Sequence, residues 1–234
     1  MQVRAWVVNA VLLSTLAALA ACDNRSKALD AEVTALRSEL AQVKRQAQHA
    51  EDYIAISNLQ RAYGYYMDKA LWEQATDLFA RDATLEISGR GVFKGRDRVR
   101  HYLHMLPVLS EGSVFLHLQL QPVITIAADG QTAQGRWRAL FQIGEVGKRS
   151  DMGEGIYENV YVREDGVWKF SKLHFFANYL VDTQDGWRKP GQPLPGPFKN
   201  LPPDEPTTVP YTTYPGVFIP PFHYPNPVTG RPSQ

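Results

Sequence analysis

Between residues 27 and 52 the chain has no Gly or Pro, and its apolar positions Leu29, Val33, Leu36, Leu40, Val43, Ala47, Ala50 and Ile54 follow in alternating steps of four and three. That spacing is the a/d seam of a heptad repeat. Lys27, Glu32, Arg37, Glu39, Lys44 and Arg45 fill the positions between, as a solvated face requires. The pattern predicts a coiled-coil stalk over residues 22–52 that associates with copies of itself. A lone amphipathic helix packed on its own domain is the alternative. The seam covers fewer than four heptads and weakens to alanine, so the domain that follows is expected to help hold a dimer or trimer.

Over residues 53–186 the pattern becomes that of an α+β domain. Tyr53 to Lys69 continues as a helix with Ile56, Leu59 and Tyr63 at core spacing, and Leu71 to Ala80 reads as a second helix. A short strand over Thr84–Ser88 precedes a Gly-rich turn, Gly89-Arg90-Gly91, and Asp97 to Leu106 reads as a third helix. Strands then dominate: Ser113–Ala127, bent at Pro122, then Gln131–Ile143, Glu154–Arg163 and Val167–Phe176. Asp129-Gly130 and Asp165-Gly166 supply the hairpin turns. Helices followed by antiparallel strands predict a layered α+β fold.

Residues 187–234 hold fourteen of the sixteen prolines. Proline lacks the backbone donor and fixes φ, which excludes a regular helix or central strand. Yet Tyr211, Tyr214, Val217, Phe218, Ile219, Phe222 and Tyr224 are too apolar for a solvated linker. An extended arm lying on its own domain or on a neighbouring subunit is expected, with a disordered tail as the alternative.

The first 21 residues change the picture of where the chain works. Arg4, an apolar run from Ala5 to Ala20 and small residues before Cys22 have the layout of a secretory signal, too short and too interrupted for a membrane span. Leu19-Ala20-Ala21-Cys22 resembles a bacterial lipobox, which implies cleavage before Cys22, lipidation of that cysteine, and a place in the cell envelope, tethered to a membrane and facing the periplasm. Cys22 is the only cysteine, so no disulfide forms within one chain. A formal net charge of +1 argues against a nucleic-acid partner. His101 and His104 lie three apart on a helix without a further ligand cluster, so no metal site is expected. Neither a Gly-rich phosphate loop nor a serine elbow is present.

Four stretches carry a family resemblance: Tyr63-Gly64-Tyr65-Tyr66-Met67-Asp68 with Trp72 following, Asp77 to Ala83, Gly91 to Arg96, and Asp165-Gly166-Val167-Trp168-Lys169-Phe170. In this order they resemble the SnoaL-like branch of the nuclear transport factor 2-like superfamily. The resemblance implies a cone, in which a curved antiparallel sheet wraps three helices around a deep apolar pocket. Eliminating enzymes of the branch pair a carboxylate late in the first helix with a histidine on a facing strand, and the matching positions are Asp68 and His117. A tyrosine five residues before the carboxylate, here Tyr63, is shared with one dehydratase. The resemblance thus implies a cofactor-independent lyase with no bound cofactor, acting on a small apolar, cyclic or aromatic molecule. His117 would be the base, oriented by Asp68 and assisted by Tyr63. C–C cleavage, isomerisation or cyclisation would use the same groups.

The residues agree in part. His117 shares a strand face with Phe115 and Gln119, opposite a leucine face of Leu116, Leu118 and Leu120. Asp68 ends an apolar, aromatic helical run. Trp72, Arg138, Tyr157 and Asn159 are the expected substrate-binding residues; Arg136 stands as the alternative to Arg138, and Glu154 or Glu158 as a further polar lining residue. The competing expectation is a non-catalytic envelope module that binds a ligand or oligomerises.

Overall fold

The computed structural model describes residues 2–233, with side chains from residue 24 onward. The signal segment and Cys22 therefore lie outside the described side chains. The chain forms two units, one up to Ala50 and one from Glu51 onward. Among the described residues no helix is long and apolar enough to cross a membrane.

Helix α1 runs Gln2–Asp68. In the first unit every described residue of α1, from residue 24 onward, is exposed. In the second unit its last turns enter the core through Ile56, Tyr63 and Met67. Then follow α2 (Trp72–Asp77), β1 (Phe79–Ile87), β2 (Gly91–Lys94), α3 (Arg96–His104), β3 (Ser113–Ile126), β4 (Thr132–Glu145), β5 (Arg149–Glu164) and β6 (Val167–Asp182). The six strands make one curved sheet in the order β2-β1-β6-β5-β4-β3. All neighbours are antiparallel except β1 and β6. This is the α+β cone that the family resemblance implies.

Strand alternation builds the two faces. Along β4, Ala133, Trp137, Ala139 and Phe141 point inward and are buried, while the residues between them point out. They meet Tyr157 and Tyr161 of β5, Phe170 and Phe175 of β6, and Val99, Tyr102 and Leu103 of α3. Several polar groups that this core encloses are paired with one another. Gln60 of α1 accepts from Asn159 Nδ2 and Tyr161 OH, both at 2.8 Å, and donates to Gln119 Oε1 at 2.7 Å. Asp52 is bonded to the Arg163 guanidinium and, at 3.1 Å, to Trp168 Nε1.

Two glycines allow close approaches that a side chain would forbid. A Cβ on Gly64 would lie 2.7 Å from the His117 carbonyl, so this glycine lets α1 rest against β3. A Cβ on Gly153 would lie 2.1 Å from Phe141 Cζ, so the space beside β5 holds a ring of β4 instead.

Several elements differ from the sequence expectation. The helix expected over Leu71–Ala80 stops at Asp77, because Phe79 is drawn into β1 and buried against Phe170 with ring centroids 5.1 Å apart. Strand β2 starts at Gly91, the last residue of the expected turn, and runs through residues for which no element was expected; its four residues pair with Thr84–Ile87. Strands β5 and β6 extend to an Asp151–Asp182 pairing, well past the apolar stretches that marked them. The bend at Pro122 is a break in register between Leu120 and Val123, with Gln121 at φ 50°.

After a short 3₁₀ turn, Gly186–Arg188, the proline-rich segment forms no long element and packs on its own domain, partly on the outer face of the sheet and partly at the open end of the cone. The Glu86 carboxylate accepts from Thr208 N at 2.8 Å, Thr208 Oγ1 at 2.7 Å and Tyr211 OH at 2.6 Å. Phe218 stacks on Phe176 at 5.9 Å, and the Arg136 guanidinium sits 3.8 Å over the Phe222 ring. Backbone bonds also tie the segment down, among them Gln192 N to Leu180 O at 2.7 Å and Tyr214 N to Asn178 O at 2.8 Å.

Candidate active site

The inner face of the sheet, the end of α1 and α3 leave a cavity of about 200 Å³. Its walls are mainly apolar: Met67, Ile87, Leu106, Phe115, Phe141, Ile143 and Phe175. Tyr63, His117 and Tyr157 bring polar atoms to it. A wider outer space of about 610 Å³ shares Ile87, Tyr102, Phe115, Ile143 and Leu180 with the cavity and forms its vestibule.

His117 sits on β3 opposite Phe141 of β4, and its ring stacks on the Phe141 ring with centroids 5.8 Å apart. Phe115 and Tyr63 present their ring edges at 5.8 and 6.4 Å. These rings pack around the imidazole. His117 Nε2 lies 2.8 Å from Tyr157 OH, and Nδ1 is buried with no partner among the described residues. Burial lowers the imidazole pKa to about 4, so the ring is neutral at pH 7 and able to accept a proton. Burial also raises the Tyr63 and Tyr157 hydroxyls, whose side chains interact with each other. Both remain protonated donors. A neutral base beside two neutral acids in a mainly apolar cavity is an arrangement suited to proton transfer.

Asp68 departs from the expectation. Its Oδ1 accepts the main-chain N–H of His117 at 2.5 Å, and the side chain borders an outer depression with Arg61, Gly64, Tyr65 and Gln119, not the cavity. The cause is topological. β3 is an edge strand, and at His117 its backbone donor faces away from β4 toward α1, which Gly64 admits to close range. A carboxylate one turn after Gly64 satisfies that donor. Asp68 thus holds the strand that carries His117 and does not touch the imidazole. Partial burial raises its own pKa, opposed by this backbone bond.

Of the expected substrate-binding residues, only Tyr157 lines the cavity. Trp72 is buried and borders the vestibule. Asn159 is spent on Gln60 and on the His174 main-chain N–H, which it accepts at 3.1 Å. Arg138 lies on the outer face, bonded to Glu154 and, at 2.7 Å, to Gln121 Oε1. Residues two apart on a strand share a face, so Arg136 points outward with Arg138, and neither enters; Glu154 and Glu158 pair with them outside. His174 is also on the outer face, 2.6 Å from Tyr211 OH.

Sequence reasoning missed the contribution of the C-terminal arm. Gln192, Pro193, Leu194, Pro195 and Thr213 complete the cavity wall. No periodicity marks them; the aromatic content further along the arm was the available signal that this segment packs. Ser88 also lines the cavity, its hydroxyl donating to Phe175 O at 2.8 Å. Among the described residues, no group of three His, Cys, Asp or Glu side chains is placed to hold a metal ion.

The model of the SnoaL-like domain matches residues 48–174. Among solved structures, a candidate scytalone dehydratase from Novosphingobium aromaticivorans is 19% identical, with a TM-score of 0.55 over 66% of this chain and 97% of its own. A type 2 hexachlorocyclohexane dehydrochlorinase, LinA, is 25% identical, with a TM-score of 0.52 over 58% of this chain and 92% of its own. The type 3 enzyme from Novosphingobium barchaimii is 24% identical, with a TM-score of 0.53 over 58% and 93%. No curated protein matches the chain.

Proposed function

We propose that this chain, which belongs to the SnoaL-like family, is a cofactor-independent lyase that eliminates water or a comparable leaving group from a small apolar, cyclic or aromatic molecule. The observation that carries this reading is the contact between His117 Nε2 and Tyr157 OH at 2.8 Å inside an apolar cavity of about 200 Å³. A cavity of roughly 150 Å³ accommodates benzene, so one substituted ring is the fitting size. Similarity to a dehydrochlorinase supports elimination as the reaction class.

His117 acts as the base. On binding, Nε2 exchanges the Tyr157 hydroxyl for the substrate C–H and takes its proton, while the C–H electron pair forms the new double bond. The released Tyr157 hydroxyl, with that of Tyr63, turns to the departing group and supplies the proton it needs, and the imidazolium then restores it. Apo hydrogen bonds of this kind reorganise in the bound state. Asp68 acts through the backbone, fixing β3. The full chain should turn over or bind ring-sized apolar compounds, and His117→Ala should lose turnover by about 10²-fold or more. Retained turnover would refute the base assignment.

Asp68's position away from the imidazole favours a second reading, a binding module without catalysis. In that case His117→Ala alters affinity, and no compound that binds is consumed.

The same reading places the protein at the periplasmic face of a bacterial envelope, exported by residues 1–21, lipidated on Cys22, and self-associated through the stalk. The lipobox-like Leu19-Ala20-Ala21-Cys22 and the heptad seam support these assignments. Mass spectrometry of the mature chain, with Cys22→Ala as control, tests the lipid.

A further inference from the structure

The helix over residues 24–51 is exposed along its whole length, yet Leu29, Leu36, Leu40 and Val43 are each more than half exposed on one stripe. Helices draw most of their stability from burying such a stripe, so the stripe needs a cover. Its strict four-three spacing selects another helix of the same period, and the flanking charges identify which helix and in which direction.

With Val33, Leu40 and Ala47 at a, and Leu29, Leu36, Val43 and Ala50 at d, the g positions are Arg25, Glu32, Glu39 and Gln46. The e positions are Asp30, Arg37, Lys44 and Glu51. In a parallel, in-register pair each g residue faces the e residue five places on in the other copy. That sets Arg25 against Asp30, Glu32 against Arg37 and Glu39 against Lys44, three attractive contacts per side. A slip of one heptad sets Arg25 against Arg37 and Glu39 against Glu51. An antiparallel pair sets Glu39 against Glu39 and Arg37 against Lys44. We propose that the cover is a second copy of this chain, in parallel and in register, selected by Arg25–Asp30, Glu32–Arg37 and Glu39–Lys44 contacts between copies. The proposal rests on the reading that the stalk self-associates and adds its direction and register.

The test uses the full chain with Cys22→Ser, Val33→Cys and Ala50→Cys, purified in detergent and oxidised, with disulfides mapped by proteolysis and mass spectrometry. Links of 33 to 33 and 50 to 50 are expected. Links of 33 to 50 overturn the parallel register while leaving self-association intact. A chain that sediments as a monomer and forms no links overturns both. Glu32→Lys with Glu39→Lys should weaken self-association by about tenfold or more, since each pair changes from attraction to repulsion. Mixing that variant with Arg37→Glu plus Lys44→Glu should restore it as a mixed oligomer. Unchanged association in the first variant refutes charge as the selector.

Discussion

Acidification should destabilise this protein, and part of the loss should trace to His117. The folded imidazole of His117 has a pKa of about 4, against an ordinary value of 6.5, because burial disfavours its charged form. A folded value below the unfolded one means that stability is full above about 6.5 and drains away as the pH falls toward 4. In the denatured chain the ring is protonated freely, whereas in the native chain it is not. With 2.303RT near 1.4 kcal/mol per unit, this residue alone removes roughly 2 kcal/mol at about pH 5 and roughly 3 kcal/mol by about pH 4. His174, lowered to about 4 mainly by burial, acts in the same direction, so the control must isolate His117. Urea unfolding followed by tryptophan fluorescence at about pH 7.5 and about pH 5, on the parent chain and on His117→Gln, provides it. With an m-value of roughly 2–3 kcal/mol/M, the parent midpoint should fall by nearly 1 M more than that of the variant. Equal losses, within about 0.5 kcal/mol, would show that His117 is not held neutral by burial.

The other expectations concern individual contacts. Tyr157→Phe removes the partner of His117 Nε2 and should lower kcat by about 10²-fold while shifting stability by only about 1 kcal/mol; paired kinetics and denaturation separate the two effects. Asp68→Asn keeps an oxygen for the His117 main-chain N–H, so its activity should stay within a few-fold of the parent and exceed that of Asp68→Ala; equal damage from both would mean that the carboxylate acts on the imidazole. Glu86→Ala strips three acceptor bonds from the arm and should cost about 3 kcal/mol or more, with limited proteolysis cutting first between residues 188 and 211; an intact arm in that variant would refute Glu86 as its anchor.

The long strands were readable because Asp129-Gly130 and Asp165-Gly166 mark their turns and because residues such as Trp137, Ala139 and Phe141 alternate cleanly. Residues 78–80 were not, because a short apolar run suits either a helix end or a buried strand, and only the tertiary pairing with Phe170 decides. His117 and Tyr157 could be placed in the cavity from strand period and family likeness. The Asp68 contact could not, because it depends on which edge of β3 lies open and on how near Gly64 lets the helix come. Arg138 was misplaced although the period of two already set it on the face opposite Trp137. The arm's docking was partly visible as an excess of aromatic residues, but its seat on Glu86 joins positions more than 120 apart and leaves no local trace.

The arm also makes the enclosure of the cavity depend on the segment that follows the sheet. Gln192–Pro195 and Thr213 complete the wall around His117, and they are synthesised only after every strand of the sheet. The cone's own elements supply the imidazole and both phenols, and the arm supplies the last part of the wall. With the arm lifted away these groups would face water, a poor medium for the proposed proton transfer. The enclosure thus comes with the arm rather than with the cone.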